Sequence, residues 1–136
     1  MSARRLYLDT SALVKLVRHE DETPALVDLI LAGGETPVAS ALVRVELRRA
    51  VAAAGGLPED ERQVEAILGD LDLLVVDDGV LHDAGALPDA GLRSLDAIHV
   101  ASAALLGDDL SALVTYDRRM LDAAQRAGLP TAAPSL

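Results

Sequence analysis

The stretch LYLDTSALVKLVRH, residues 6–19, decides the fold expected for this chain. Its first four residues, 6–9, form an apolar run that ends in an acid, which is typical of a buried strand. Residues 11–19 carry apolar side chains at helical spacing and predict a helix. A buried strand that leads directly into a helix indicates an alternating α/β fold.

The same alternation continues along the chain. Strands are predicted at residues 6–9, 37–40, 73–76 and 112–116, with a last edge strand at 129–133. Helices are predicted at residues 11–19, 23–33, 41–55, 58–71, 79–87, 95–106 and 117–128, with Ser40 and Ser94 as N-caps of the third and the sixth. This order predicts a single α/β domain, residues 1–136, whose mainly parallel sheet is covered by helices on both faces.

The composition excludes several classes of protein. Apolar residues make up 51% of the chain and charged residues 25%, which is typical of a folded protein and not of a disordered one. The chain has no cysteine, which excludes disulfides, thiolate catalysis and zinc sites built on cysteine. Because no apolar stretch is long enough to span a membrane, we expect a cytoplasmic protein.

The formal net charge of −10 limits the ways in which the chain could bind nucleic acid. An acidic surface repels phosphates, so simple electrostatic binding is disfavoured. The only aromatic residues are two tyrosines, so stacking platforms for bases are disfavoured as well. Any contact with nucleic acid would therefore need a bound cation or a local basic rim.

Four acids stand out from the other acids of the sequence, which are expected to face water. Asp9 and Asp117 each follow a predicted strand and begin a helix, so an N-cap is an alternative role for both. Asp96 lies in the first turn of its predicted helix, where the helix dipole favours the charged form. Glu46 lies within the apolar stripe of its helix, where either a functional site or a buried ion pair would explain it.

These four acids are expected to converge on one edge of the sheet. Parallel strands end at the same edge, which is where such sheets bind ligands. Carboxylates gathered there would repel one another and tend to protonate, unless a hard divalent cation such as Mg²⁺ or Mn²⁺ binds among them. Such an ion would bind a phosphate oxygen and activate a water for attack, so the cluster predicts a metal site for phosphoryl chemistry.

The segments that carry these acids resemble the PIN-domain ribonucleases and, within them, the VapC-like toxins of bacterial toxin–antitoxin pairs. The segments are YLDTSALVKL, SALVRVEL, LRSLDAIHVASA and LVTYDRRMLDAAQRAGL, in that order along the chain. The resemblance implies a three-layer α/β/α fold with four to five mainly parallel strands. It also implies a Mg²⁺- or Mn²⁺-dependent endoribonuclease that hydrolyses RNA, forms a homodimer and is inhibited by a small antitoxin protein.

The resemblance also implies roles for the four acids. Asp9 and Asp96 look like the principal metal ligands. Glu46 and Asp117 look like further acids, which bind the metal through water or position the attacking water. On this interpretation all four are both metal-binding and catalytic residues.

Three further residues are expected to support the site. By the same resemblance, Ser11 and Thr115 flank the acids and hydrogen-bond either to them or to phosphate. His99 follows Asp96 by three residues and so lies on a neighbouring face of the same helix. A general base and a hydrogen-bonded structural histidine are both possible roles for His99, and we favour the second.

Two other functions remain as alternatives. A metal-dependent phosphatase with an aspartyl nucleophile would also place Asp9 after the first strand, but such enzymes usually need a second aspartate two residues later, where this chain has Ser11. A non-enzymatic α/β interaction module would use the acids as helix caps and ion pairs. Glu46, on its apolar stripe, is the feature that such a module explains least well.

Overall fold

A computed structural model describes residues 4–136 of the chain. Its centre is a sheet of five strands in the order β3–β2–β1–β4–β5, and every neighbouring pair is parallel. The strands are β1 (Arg5–Leu8), β2 (Thr36–Ser40), β3 (Asp72–Leu74), β4 (Leu110–Val114) and β5 (Thr131–Ala132). The prediction of an α/β fold with a mainly parallel sheet is confirmed.

Seven α-helices of the described residues cover the sheet on both faces. They are α1 (Thr10–Val17), α2 (Thr23–Ala32), α3 (Val43–Ala53), α4 (Pro58–Asp70), α5 (Asp78–Gly85), α6 (Ser94–Ala104) and α7 (Arg118–Arg126). Helices α1 to α4 share one core, α6 and α7 share the other, and α5 packs against α6. None of these seven helices is both long and apolar enough to cross a membrane.

Side chains that alternate along the strands divide the core between the two faces. In β1, Leu6 and Leu8 belong to the core beneath α1 to α4, whereas Tyr7 between them joins the core beneath α6 and α7. In β4, Val114 belongs to the first core and its neighbour Leu113 to the second. Successive side chains of a strand point to opposite faces, so a strand covered on both sides must be apolar at every position.

The bounds of every strand differ from the prediction by at least one residue, and the third and fourth strands show why. The third strand ends at Leu74 and not at residue 76, since the chain leaves the sheet there and Val75 is 71% exposed. The fourth strand begins two residues earlier than predicted, at Leu110, and ends at Val114. A strand ends where its pairing with a neighbouring strand ends, and an apolar run does not mark that point.

Two predicted caps also differ from the structure. The prediction of Ser94 as an N-cap is wrong: Ser94 is the first residue of α6, and the extended Arg93 before it occupies the cap position without a side-chain hydrogen bond. Ser40 has a related role, since its hydroxyl accepts a hydrogen bond of 3.2 Å from the Leu42 N–H. Leu42 itself occupies the N-cap position of α3, so Ser40 shapes the turn into the helix without capping it.

Candidate metal centre and active site

The strand order creates a crevice at the carboxyl ends of β1 and β4. From β1 the chain continues outward to β2 and β3, whereas β4 and β5 lie on the other side of β1. The two central strands therefore meet at a topological switch point, which is where open α/β sheets bind ligands. Asp9 directly follows β1, and Asp117 comes three residues after the end of β4.

The structure brings all four predicted acids to one pocket at this crevice. The pocket has a volume of about 270 Å³ and its lining includes Asp9, Glu46, Asp96 and Asp117. Ser11 and His99, which were expected to support the site, line it as well. The acids come from four different parts of the chain, so only the fold brings them together.

Asp9 is the most deeply buried of the four acids, with 2% of its surface exposed. Its Oδ1 accepts hydrogen bonds from the Ser11 hydroxyl at 2.7 Å and from the Ala12 N–H at 3.0 Å, so Asp9 is also the N-cap of α1. Its Oδ2 accepts a hydrogen bond of 2.5 Å from the Thr115 hydroxyl. Burial raises the pKa of Asp9 above its usual value, and these hydrogen bonds oppose the rise without cancelling it.

Ser11 and Thr115 connect the ends of the two central strands. The Ser11 hydroxyl donates to Asp9 and accepts a hydrogen bond of 2.9 Å from the Tyr116 N–H. The Thr115 hydroxyl donates to Asp9 and accepts one of 3.1 Å from the Asp117 N–H. Both hydroxyls thus hold the Asp9 carboxylate against the segment that follows β4.

Glu46 lies on α3 and reaches the pocket from the side of β2. Its Oε1 accepts two hydrogen bonds, one of 2.8 Å from the Thr10 hydroxyl and one of 2.7 Å from His99 Nε2. Partial burial alone would raise the pKa of the Glu46 carboxyl, but the contacts with His99 and Thr10 outweigh it and hold that pKa below its usual value. Glu46 is therefore an ionised acid in a hydrogen-bonded pair at the rim of the pocket.

His99 is buried, with 1% of its surface exposed, and both of its ring nitrogens are within hydrogen-bonding distance of protein atoms. Nε2 lies 2.7 Å from Glu46 Oε1, and Nδ1 lies 2.8 Å from the hydroxyl of Tyr7. A general base needs a free nitrogen directed at the substrate. The arrangement therefore favours the interpretation of His99 as a hydrogen-bonded structural residue.

Asp96 lies in the first turn of α6 and differs from the other acids in its surroundings. Its carboxylate has no hydrogen-bonding partner among residues 4–136, and only charges act on it besides burial. Partial burial raises the pKa of Asp96, and the nearby charges of Asp117 and Glu46 add to the rise. The charges of His99 and Arg93 lower that pKa but do not cancel the rise, so the surrounding protein compensates the negative charge of Asp96 only in part.

Asp117 is the N-cap of α7. One of its carboxylate oxygens, Oδ1, accepts hydrogen bonds from the N–H groups of Arg119 at 2.9 Å and Met120 at 3.2 Å. The N-cap considered for Asp117 on sequence grounds is therefore present. The cap leaves the other oxygen, Oδ2, available to the pocket that Asp117 lines.

The residues of the pocket fit an open site for a hard divalent cation. They offer carboxylate and hydroxyl oxygens, which Mg²⁺ and Mn²⁺ prefer, and two of the carboxylates have raised pKa values. Within the described residues, no group of three or more acidic or histidine side chains is close enough to enclose a metal ion. Mg²⁺ usually binds through one or two carboxylates and keeps several waters, so an open arrangement of this kind suits it.

Two residues of the site were not identified from the sequence. Thr10 donates a hydrogen bond to Glu46, and Tyr7 makes a hydrogen bond with His99. Tyr7 carried a weak signal, since it is one of only two aromatic residues and lies in the first predicted strand. Thr10 carried none, because a threonine next to an N-cap is most simply explained by the helix it begins.

Close relatives of the chain are found in Mycobacterium tuberculosis. Ribonuclease VapC46 of that organism is 47% identical over 131 residues, which cover 96% of this chain and 98% of the relative. Ribonuclease VapC35 is 45% identical over 132 residues, which cover 95% of this chain and 96% of the relative. Relatives of this identity over nearly the whole length share their fold and family with the chain.

Solved structures agree with the fold. The crystal structure of VapC20 from Mycobacterium tuberculosis, described as a sarcin–ricin loop cleaving toxin, aligns with a TM-score of 0.74 and 15% identity over 95% of this chain and 99% of that one. VapBC2 from Rickettsia felis, bound to a DNA fragment from their promoter, aligns with a TM-score of 0.65 and 19% identity over 87% of this chain and 92% of that one. The family model for the PIN domain matches residues 6–126. The chain therefore belongs to the PIN-domain family.

Proposed function

We propose that this chain is a metal-dependent endoribonuclease that acts as the toxin of a toxin–antitoxin pair. The observation that carries the proposal is the pocket at the switch point of the sheet, which is lined by four acids from separate parts of the chain. Its relatives at 45–47% identity are ribonucleases of the VapC type, which supports the same activity here. The reaction is the hydrolysis of a phosphodiester bond of RNA.

Mg²⁺ or Mn²⁺ is the proposed cofactor, with Asp9 and Asp96 as its principal ligands. Glu46 and Asp117 are further acids of the same site, which bind the ion through water or accept hydrogen bonds from the attacking water. When bound, the ion lowers the pKa of a water molecule and offsets the negative charge that develops on the phosphate. It also supplies the positive charge that a chain of formal net charge −10 lacks.

Two hydroxyl groups at the site orient Asp9. Ser11 and Thr115 each donate one hydrogen bond to Asp9, which keeps its carboxylate in one orientation. The buried position of Asp9 excludes bulk water from one side of the site. The carboxylate oxygens of Asp9 are therefore already in place before the substrate binds, which reduces the free-energy cost of reaching the reactive geometry.

The proposed partners are RNA, a small antitoxin protein and a second copy of the chain. Several structures with the same fold are complexes, among them a toxin–antitoxin complex from Klebsiella pneumoniae and VapBC-1 from nontypeable Haemophilus influenzae. These complexes support an antitoxin that binds this chain, and the homodimer is proposed from the family resemblance. A toxin that cleaves cellular RNA acts in the cytoplasm, which is the location we propose.

Neither alternative function gains support from the site. An aspartyl-nucleophile phosphatase would use an acid at position 11, whereas Ser11 here donates a hydrogen bond to Asp9. An interaction module explains Asp9 and Asp117 as caps, but it gives no reason for Asp96 to keep a carboxylate without a hydrogen-bonding partner among residues 4–136 in a pocket with three other acids.

Substitution of the two principal ligands tests the proposed activity. Asp9→Asn and Asp96→Asn each preserve size and polarity but remove the negative charge, so we expect RNA cleavage to fall at least about 100-fold. Cleavage of total RNA by the purified chain is measured with Mg²⁺ or Mn²⁺ and with a chelator. Circular dichroism shows whether each variant keeps its fold.

Asp28→Asn is the matched control, because Asp28 is an exposed acid of α2 outside the pocket. It should cleave RNA as the wild type does. Equal cleavage by the wild type, Asp9→Asn and Asp96→Asn, or full cleavage in the presence of the chelator, would contradict the proposal.

A further inference from the structure

The two hydrogen bonds to Glu46 end on the same oxygen. The Thr10 hydroxyl and His99 Nε2 both reach Oε1, at 2.8 and 2.7 Å. Among residues 4–136, no hydrogen bond reaches Oε2. The protein thus occupies one oxygen of this carboxylate and leaves the other for the contents of the pocket that Glu46 lines.

The contact between His99 and Glu46 requires a hydrogen on Nε2. An ionised carboxylate has no hydrogen to donate, so a separation of 2.7 Å between Nε2 and Oε1 is favourable only if Nε2–H donates. The neutral ring carries its hydrogen on either nitrogen, and the partner of the other nitrogen decides which form is present. That partner is the hydroxyl of Tyr7, 2.8 Å from Nδ1.

The Tyr7 hydroxyl is directed towards His99 by the backbone of β2. The Ser40 N–H donates to the Tyr7 oxygen at 3.1 Å, so the single hydrogen of that hydroxyl is free to donate to His99 Nδ1. A Nδ1 that accepts a hydrogen bond leaves the ring hydrogen on Nε2, where Glu46 needs it. The contacts from Ser40 through Tyr7 to His99 are in the interior, since these three residues are each at most 1% exposed.

This series of contacts joins four elements of the fold. Tyr7 lies in β1, Ser40 ends β2 before the turn into α3, Glu46 lies on α3, and His99 lies on α6. The tyrosine and histidine rings also contact each other edge to face, with their centroids 6.0 Å apart at an angle of 75°. The orientation of Glu46 therefore depends on residues from both faces of the sheet.

We propose that His99 is a positioning residue, which holds Oε1 of Glu46 through Nε2–H so that Oε2 faces the reacting groups, and that Tyr7 selects the required tautomer. The inference deepens the proposed ribonuclease activity and rests on it. His99 does not touch substrate in this scheme. It acts only through Glu46.

Two substitutions of His99 separate the two hydrogen bonds of its ring. The amide of glutamine in His99→Gln lies where Nε2 lies and can donate to Glu46. The shorter asparagine in His99→Asn reaches only the position of Nδ1, so it can accept from Tyr7 but cannot reach Glu46. We expect kcat of His99→Asn to fall about 10- to 100-fold with KM changed less than about threefold, and His99→Gln to recover most of the loss.

A double substitution tests whether His99 acts only through Glu46. In a background of Glu46→Gln, His99→Asn should lower kcat by less than about threefold, because the group that it positions is already altered. A kcat of His99→Asn equal to that of the wild type, the same kcat for His99→Gln as for His99→Asn, or a full further loss in the double variant would each overturn the inference.

Nitrogen NMR of the metal-free protein reads the tautomer without any assay of activity. In the wild type we expect a hydrogen on Nε2 of His99 and none on Nδ1. In Tyr7→Phe the preference should be weaker, because Nδ1 loses its donor while Glu46 still accepts from Nε2. A hydrogen on Nδ1 in the wild type would overturn the inference, even if every His99 variant failed to fold. A wild type without ribonuclease activity would instead contradict the proposed function. The NMR measurement of the tautomer would still show whether His99 donates to Glu46.

Discussion

At the scale of single residues, each of the four acids has its own electrostatic environment. Asp9 is buried and hydrogen-bonded on both oxygens, Glu46 is paired with His99, and Asp117 caps a helix. Asp96 has no hydrogen-bonding partner among residues 4–136. A carboxylate in that situation destabilises the folded state when it is charged and so favours a cation nearby.

The pKa of Asp96 predicts how its replacement changes stability. Partial burial and the charge of Asp117 raise that pKa in the folded state above its unfolded value, so ionised Asp96 destabilises the fold. The destabilisation is present above the folded pKa and disappears below the unfolded value of about 3.9. Without metal, Asp96→Asn should therefore have a higher Tm than the wild type at pH 7, and the difference should vanish towards about pH 4.

Thermal denaturation in a chelator, at several pH values, measures this difference. Asp28→Asn serves as a comparison, since it removes one negative charge from an exposed position outside the pocket. A Tm for Asp96→Asn that is lower than that of the wild type at pH 7, or a difference that does not change with pH, would show that Asp96 is not destabilising.

At the scale of elements, two of the helices that begin at the crevice, α1 and α7, are capped by acids of the site. Asp9 caps α1 and Asp117 caps α7, so each acid has a structural role besides its proposed chemical one. The alternatives of cap and site, left open by the sequence, are therefore not exclusive. The cap made by Asp117 uses one carboxylate oxygen and leaves the other available. In Asp9 the second oxygen accepts one hydrogen bond from Thr115, and a carboxylate oxygen can accept more than one.

Two substitutions of Asp117 separate its structural role from its proposed chemical role. Asparagine caps a helix about as well as aspartate does, whereas loss of a cap to alanine costs about 1 kcal/mol of stability. We expect Asp117→Asn to keep the free energy of unfolding of the wild type and Asp117→Ala to lose about 1 kcal/mol. Both should cleave RNA more slowly, because both lack the carboxylate.

Urea denaturation gives the stabilities, and cleavage of RNA gives the activities. If Asp117→Asn retained wild-type activity, Asp117 would be a cap alone. If Asp117→Ala were as stable as the wild type, the hydrogen bonds to Arg119 and Met120 would contribute nothing measurable.

At the scale of the whole molecule, the charge of the chain and the charge of the site have the same sign. The formal net charge is −10, and the pocket adds four carboxylates to a surface that already repels RNA. A bound divalent cation reverses the sign locally, where the phosphate must approach. It also relieves the mutual repulsion of the acids, which raises the stability of the folded state.

Addition of metal should therefore stabilise the wild type. At millimolar Mg²⁺ or Mn²⁺ we expect a higher Tm than in a chelator, because an ion that binds only the folded state stabilises it by mass action. The rise should be smaller in Asp9→Asn and Asp96→Asn, which lack a ligand, and unchanged in Asp28→Asn. The same Tm with and without millimolar metal in the wild type would contradict the proposed metal site.

Local patterns in the sequence were enough to predict the fold class, but they did not give the correct bounds of every strand and helix. Apolar runs and helical periodicity predicted the parallel α/β arrangement, because a strand that is buried on both faces is apolar at nearly every position. Ser94 was wrong as a cap because a cap depends on the backbone entering the helix, and there the extended residue is Arg93. The third predicted strand was too long because Val75 is apolar but exposed.

The amino-acid sequence determined that Asp9 and Asp117 stand where strands give way to helices and that Glu46 interrupts an apolar stripe. These facts depend on neighbours in the chain, which share one helix or one strand. Only the tertiary structure decided that Glu46 meets His99, 53 residues away, and that His99 meets Tyr7, 92 residues away. Contacts at such separations depend on how the helices pack on the two faces of the sheet. Which oxygen of Glu46 is hydrogen-bonded, and which nitrogen of His99 carries the hydrogen, are therefore decided only in the folded protein.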